Sequence, residues 1–195
     1  MIKFINAWTD ADKAIVLDAI KLFSEMLSRY TGTSPEDAFS CVMRDINFKL
    51  SPSIKYHGYA KGNTITLKPG FVELRLVLHE LAHIFSNRFE YRKRPQYLLG
   101  RYGIPLPNSR KLVTGPYIGG YSRGMGRYAQ VNGFISDTIQ HKKSQVNSAF
   151  EDFADMLMNF IFGIESFADN DAGHAIYYWM DEHMREWLLP CTIQK

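Results

Sequence analysis

The chain has 195 residues, of which 46% are hydrophobic and 22% are charged, proportions that are ordinary for a globular protein. Its formal net charge of +3 is too small to predict a nucleic-acid partner, and its basic residues form no long run. It has no apolar stretch of transmembrane length and no visible secretory signal. We therefore expect no membrane partner and a cytoplasmic location, although signal-independent export would leave no trace in the sequence.

The first part of the chain is predicted to be helical. Apolar residues recur at helical spacing from Asp10 to Tyr30, and Thr31-Gly32-Thr33 ends this helix. A second helix is predicted from Pro35 to about Asp45, with Ser34 as its N-cap.

Beyond this helical part, from residue 47 to residue 68, the apolar period changes toward two. Ser53–Tyr56 and Asn63–Lys68 are predicted strands, joined by a turn around Gly62. The second of these strands leads directly into the next helix.

The residues between Gly70 and Pro95 include neither glycine nor proline, which predicts one helix from Phe71 to about Arg94. Leucine and phenylalanine form one apolar stripe along it. A neighbouring face carries polar residues, and we expect this face to lie at the edge of a core.

That face contains the motif His79-Glu80-Leu81-Ala82-His83, an H-E-x-x-H sequence. Residues four apart share one face of an α-helix, so the two imidazoles can bind one zinc ion. Glu80 then faces the same cavity and can hold a water molecule as general base. The alternative is that both histidines are polar residues at the core edge, with no metal.

Residues 100–133 are rich in glycine, proline and tyrosine, which predicts a long functional loop rather than regular structure. Two further helices are predicted, from residue 148 to about 162 and from residue 173 to 189. Asp169-Asn170-Asp171 is interpreted as a turn rather than as part of a calcium loop.

A catalytic zinc site usually has three protein ligands, and Glu151 is the best third candidate. Asp155 follows four residues later, so both carboxylates lie on one helix face, where the second can orient a ligand histidine. In the alternative interpretation, Glu151 only closes a capping box with Ser148. Glu90 lies about 10 Å beyond His83 along the motif helix, too far to reach the same metal from a straight helix. His174 stays open as a ligand or proton donor.

These motifs resemble a known family. H-E-L-A-H followed by E-x-x-x-D on a second helix looks like the gluzincin clan of metallopeptidases, to which thermolysin belongs. Gly133-Phe134-Ile135-Ser136 followed by Glu151-Asp152-Phe153-Ala154-Asp155 resembles zinc-binding metallopeptidases and relatives of the lethal-factor catalytic domain. The resemblance covers about residues 63–163, and the segment from 136 to 151 is longer and more basic than that pattern.

The resemblance implies an α+β, zincin-like fold. It would comprise a small mixed or antiparallel sheet, an active-site helix, a second ligand helix, and extra helices at both ends. We expect a single domain over residues 1–195, with a helical part at 1–50, a catalytic core at 53–165 and a C-terminal helix at 166–195. The implied zinc ligands are His79, His83 and Glu151, with Glu80 as general base and Asp155 beside a ligand histidine.

The predicted function is a zinc-dependent endopeptidase acting on a protein or peptide. A transition-state hydrogen-bond donor is also needed, and we favour Tyr128 for this role. The other options are Tyr117, Tyr121, Arg123, Arg127, His141 and His174. The strand at 63–68 is expected beside the motif helix, with an edge free for a substrate strand. Two alternatives stay open: an inactive metal-binding or interaction module, and a metal-dependent hydrolase of a small molecule.

The chain contains two cysteines, Cys41 and Cys191. Two are too few for a disulfide framework, and they lack C-x-x-C metal spacing. We expect both to be free thiols in a reducing compartment.

Overall fold

The computed structural model describes residues 1–88, 149–167 and 171–192, without the side chains of 149–152, 171–173 and 175–176. Within these residues the fold is α+β, as predicted. The helices are α1 (Asp10–Thr31), α2 (Pro35–Met43), α3 (Leu74–Arg88), α4 (Ala149–Phe162) and α5 (Asp171–Leu188). The strands are β1 (Ile2–Ile5), β2 (Ile46–Leu50), β3 (Gly58–Lys61) and β4 (Thr64–Leu67).

The four strands form one mixed sheet in the order β1-β2-β4-β3. β1, β2 and β4 are parallel, and β3 is antiparallel to β4. The parallel pair β1–β2 requires a crossover connection, which α1 and α2 supply. β3 and β4 are joined by a two-residue loop that begins at Gly62 (φ +58°), and a positive φ at the first loop position favours glycine.

The predicted end of the first helix at Thr31-Gly32-Thr33 and the predicted N-cap of the second helix at Ser34 are both confirmed. Thr9 caps α1 by accepting a hydrogen bond from the Asp12 N–H at 3.0 Å, and Gly32 ends it with φ +71°. Ser34 caps α2 in the same way, through the Asp37 N–H at 3.1 Å. α2 ends slightly earlier than expected, at Met43.

The strand predictions are partly wrong. β4 matches the predicted strand at 63–68, but Ser53–Tyr56 is not a strand, and the strand that follows β2 begins only at Gly58. The expected free edge at 63–68 is also wrong, because β4 lies between β2 and β3. Among the described residues, the outermost strand on that side is β3.

The chain divides into two compact units, one of Met1–Arg88 with Met184–Lys195 and the other of Phe89–His183. The single domain expected from the sequence stays a prediction. In the first unit the core lies between the helices and one face of the sheet. Phe23 of α1 contacts Phe85 of α3 edge to face, with ring centroids 6.0 Å apart, and Phe85 also contacts Trp187 at 6.3 Å.

The prediction of two free thiols is wrong. Cys41 and Cys191 form a disulfide within the first unit, with Cα atoms 6.0 Å apart, a separation typical of such bonds. It joins α2 to the 3-10 turn Leu189–Cys191, which follows α5. Because disulfides persist mainly in oxidising compartments, this bond does not support the expected reducing compartment, and the cytoplasmic location stays a prediction.

In the part of the chain that the structure describes, no helix is both long enough and apolar enough to cross a lipid bilayer.

Candidate functional site

The H-E-x-x-H motif lies on α3, in the first unit. The His79 and His83 rings lie one helical turn apart and meet edge to face, with centroids 4.7 Å apart and planes at 87°. The motif therefore adopts the helical geometry that its spacing predicted, with both imidazoles on one side of the helix. Two nitrogen donors in this arrangement suit a tetrahedral zinc ion.

The motif is more deeply buried than the sequence predicted. His79 is 0% exposed and Glu80 is 1% exposed, whereas His83 is partly exposed. The expected position at the edge of a core is therefore wrong for the first two residues. The reason is that α3 is covered on more than its leucine stripe, since α1, α2 and β3 all pack against it.

The strand next to Glu80 is β3, and the contact depends on a glycine. A Cβ atom added to Gly58 would lie 3.2 Å from Glu80 Oε1, 2.9 Å from Leu67 Cδ2 and 3.3 Å from Leu76 Cδ1. Any larger residue at position 58 would displace at least one of these groups. Sequence reasoning missed Gly58, because nothing local to it indicates that Glu80 is its neighbour.

The C-terminal end of α3 is anchored by Arg88. Its guanidinium donates to the Met43 carbonyl at 2.6 Å and to Asn63 Oδ1 at 3.1 Å. Partial burial lowers the pKa of Arg88, with a further contribution from the positive charge of Arg44. These bonds tie the motif helix to the end of α2 and to the β3–β4 loop.

The predicted second ligand helix is present as α4, in the second unit. Asp155 is buried, and Asn159, one turn later, is buried as well and donates its side-chain amide to the Asp155 carbonyl oxygen at 2.8 Å. Glu151 lies one turn before Asp155 on the same helix, but its side chain is outside the described residues. Asn159 is a buried polar residue that the sequence analysis did not single out, although it continues the four-residue spacing.

The remaining candidates are mostly outside the described residues. Tyr128, the candidate transition-state donor, lies there, as do Ser148 and Glu90. The other loop candidates also lie there: Tyr117, Tyr121, Arg123, Arg127 and His141. His174 lies in α5 and is half-buried.

Within the described residues, no group of three or more histidine, cysteine, aspartate or glutamate side chains is arranged to hold a metal ion. The described part of the site therefore consists of two imidazoles with a buried carboxylate beside them. This set can bind a cation through two nitrogen atoms and can accept a proton through Glu80.

Comparison of the chain with protein-family models, with curated proteins and with solved structures finds no match.

Proposed function

We propose that the chain is a zinc-dependent endopeptidase in which His79 and His83 bind the metal and Glu80 is the general base. One observation carries this proposal. The His79 and His83 imidazoles lie on one helix with centroids 4.7 Å apart, and Glu80, the residue after His79, is a buried glutamate. A structural zinc site has no need of such a base, because its ligands close the coordination sphere.

The donor set fits zinc chemically. Imidazole nitrogen is a preferred zinc ligand, and a site with two histidines and one carboxylate leaves a position for water or substrate. Burying the Glu80 carboxylate and the His79 imidazole is costly in free energy, and a cation bound at His79 beside Glu80 would offset part of that cost. The burial of His79 and Glu80 is therefore expected for a metal site.

Glu151 is the proposed third ligand, and Asp155 the residue that orients a ligand histidine. Support comes from their four-residue spacing on α4 and from the burial of Asp155 in that helix.

The chemistry then follows from the residues. When bound, zinc supplies Lewis acidity, which lowers the pKa of water and polarises a carbonyl group. The Glu80 carboxylate accepts a proton from the attacking water and donates it to the leaving amine. Tyr128 stays the candidate for the hydrogen bond to the developing oxyanion.

The proposed substrate is an extended polypeptide, and the proposed fold is zincin-like. Support comes from the mixed sheet that precedes the motif helix and from β3, the outermost described strand on that side. An outermost strand offers backbone groups with which an extended peptide can pair. The contact of Gly58 with Glu80 brings that strand to the proposed general base.

The test is hydrolysis of denatured casein and of a peptide library by zinc-loaded wild type, Glu80→Gln and Glu73→Gln. Glu73 is an exposed glutamate just before α3, so Glu73→Gln is the matched control for the chemical change. We expect wild type and Glu73→Gln to cleave alike and Glu80→Gln to lose about a hundredfold or more in rate. Full activity of Glu80→Gln would contradict the general-base assignment. Zinc binding without cleavage by the wild type would instead indicate a binding module or a small-molecule hydrolase.

A further inference from the structure

The segment from β2 to the motif helix carries an uneven charge. Residues 51–75 include four lysine or arginine residues, Lys55, Lys61, Lys68 and Arg75, but only one carboxylate, Glu73. The net charge of this short segment equals the formal +3 of the whole chain. Three of these cations, Lys55, Lys61 and Lys68, lie in β3 or within three residues of β3 or β4.

Three aromatic side chains of the same segment are exposed to solvent. Tyr56 is 62% exposed, Tyr59 40% and Phe71 36%. The Lys55 ammonium lies 5.8 Å from the centre of the Tyr56 ring, and the Lys68 ammonium lies 5.5 Å from that of Phe71. We call these exposed or half-buried side chains in and around β3 the basic aromatic surface: Lys55, Tyr56, Tyr59, Lys61, Lys68 and Phe71.

The three lysines of this surface are available to a ligand. Within residues 1–88, 149–167 and 171–192, none of Lys55, Lys61 and Lys68 forms an ion pair with a carboxylate. Lys55 and Lys61 are exposed and Lys68 is half-buried. An acidic ligand would therefore gain charge interactions without first displacing an internal carboxylate.

The basic aromatic surface adjoins the candidate site through β3. Side chains alternate along a strand, so Gly58 faces the motif helix, where it contacts Glu80, while Tyr59 and Lys61 are exposed. An extended polypeptide that paired with β3 would therefore have Glu80 on one side of the strand and Tyr59 and Lys61 on the other.

We propose that the basic aromatic surface binds an acidic segment of a polypeptide and so selects acidic substrates. The selection of substrates rests on the proposed peptidase function, whereas the binding does not. A polypeptide is favoured over a nucleic acid because an extended peptide can pair with β3, the outermost described strand, and because the total charge is small. Each exposed lysine–carboxylate contact is expected to change affinity only severalfold at low salt, so selectivity depends on several contacts together.

The test measures binding of labelled peptides by fluorescence anisotropy to zinc-loaded Glu80→Gln, which is expected to leave them uncut. Three peptides of equal length and hydrophobicity carry glutamate, glutamine or lysine at the same positions, and a single-stranded oligonucleotide is the fourth probe. Lys55→Glu/Lys61→Glu is compared with Lys13→Glu/Lys21→Glu, which makes the same charge change on α1. Circular dichroism checks that both variants are folded.

We expect the glutamate peptide to bind roughly tenfold more tightly than the glutamine peptide at low salt, with the difference shrinking as salt is added. Lys55→Glu/Lys61→Glu should remove that difference and Lys13→Glu/Lys21→Glu should keep it. Equal binding of all three peptides, equal loss in both variants, or tighter binding of the oligonucleotide would overturn the proposal.

Cleavage of the same peptides by wild type separates this proposal from the proposed function. Preferential binding of the glutamate peptide without cleavage would support the surface and contradict the peptidase. Cleavage of all three peptides at one rate would support the peptidase and overturn the acidic preference.

Discussion

Gly58 and Glu80 are in contact across the first unit: a Cβ atom on Gly58 would lie 3.2 Å from the Glu80 carboxylate oxygen. The contact links the outermost described strand to the proposed general base. The position of this carboxylate thus depends on the absence of a side chain on the neighbouring strand.

Gly58→Ala is therefore expected to displace Glu80 and to lower kcat roughly tenfold, with KM and zinc content nearly unchanged, because small misplacement of a catalytic group is costly. The readout is steady-state kinetics with a zinc assay. Gly58→Ala/Leu67→Val removes the 2.9 Å contact with Leu67 Cδ2 and leaves those with Glu80 Oε1 and Leu76 Cδ1, so it tests whether the loss of activity comes from Leu67. Gly62→Ala is the control, since its Cβ would meet nothing within 4 Å and it tests backbone strain alone. Unchanged kcat in Gly58→Ala would refute the positioning role.

Arg88→Ala is expected to lower the free energy of unfolding by about 1–3 kcal/mol, because it removes two hydrogen bonds and leaves the Met43 carbonyl without this donor. Urea denaturation measures the change. Arg88→Lys keeps the charge but not the planar guanidinium group. It should therefore recover only part of the lost free energy of unfolding. Equal stability of wild type and Arg88→Ala would show that the anchor contributes little.

The disulfide between Cys41 and Cys191 closes a loop with a sequence separation of 150 residues. Cys41→Ser/Cys191→Ser is expected to lose about 2–5 kcal/mol of unfolding free energy, since an open chain has more unfolded conformations. Reductant should destabilise the wild type similarly and leave the double variant unaffected. Rapid labelling of thiols in the native, unreduced wild type would contradict the disulfide.

Glu151→Ala is expected to remove zinc, and Asp155→Ala to weaken zinc affinity by about 10–100-fold, because the second residue acts through a ligand. Competition with a chelating dye measures both affinities. Glu165→Ala, an exposed carboxylate of the same unit, is the control and should bind zinc like wild type. If Asp155→Ala lost more affinity than Glu151→Ala, the two roles would have to be exchanged.

Local interactions explain what the sequence predicted correctly. Ser34 and Gly32 identify helix ends because a cap depends on residues only a few positions away. The arrangement of His79 and His83 was predictable for the same reason, since four-residue spacing on a helix is a local property.

Non-local packing explains what the sequence did not predict. The burial of Glu80 depends on β3, and the pairing of Cys41 with Cys191 depends on residues that are 150 positions apart. β1 and β2 were also missed, although Ile46, Phe48 and Leu50 alternate as a half-buried strand should. Their pairing is non-local, since it joins Ile2–Ile5 to residues more than 40 positions away.

The central claim is that His79 and His83 hold zinc beside a general base. Zinc content per chain, measured by elemental analysis after mild dialysis, tests it most directly on wild type, Glu80→Gln and His83→Ala. The account predicts about one zinc ion in wild type and in Glu80→Gln, and a large loss in His83→Ala. No zinc in the wild type, or equal zinc in wild type and His83→Ala, would contradict it.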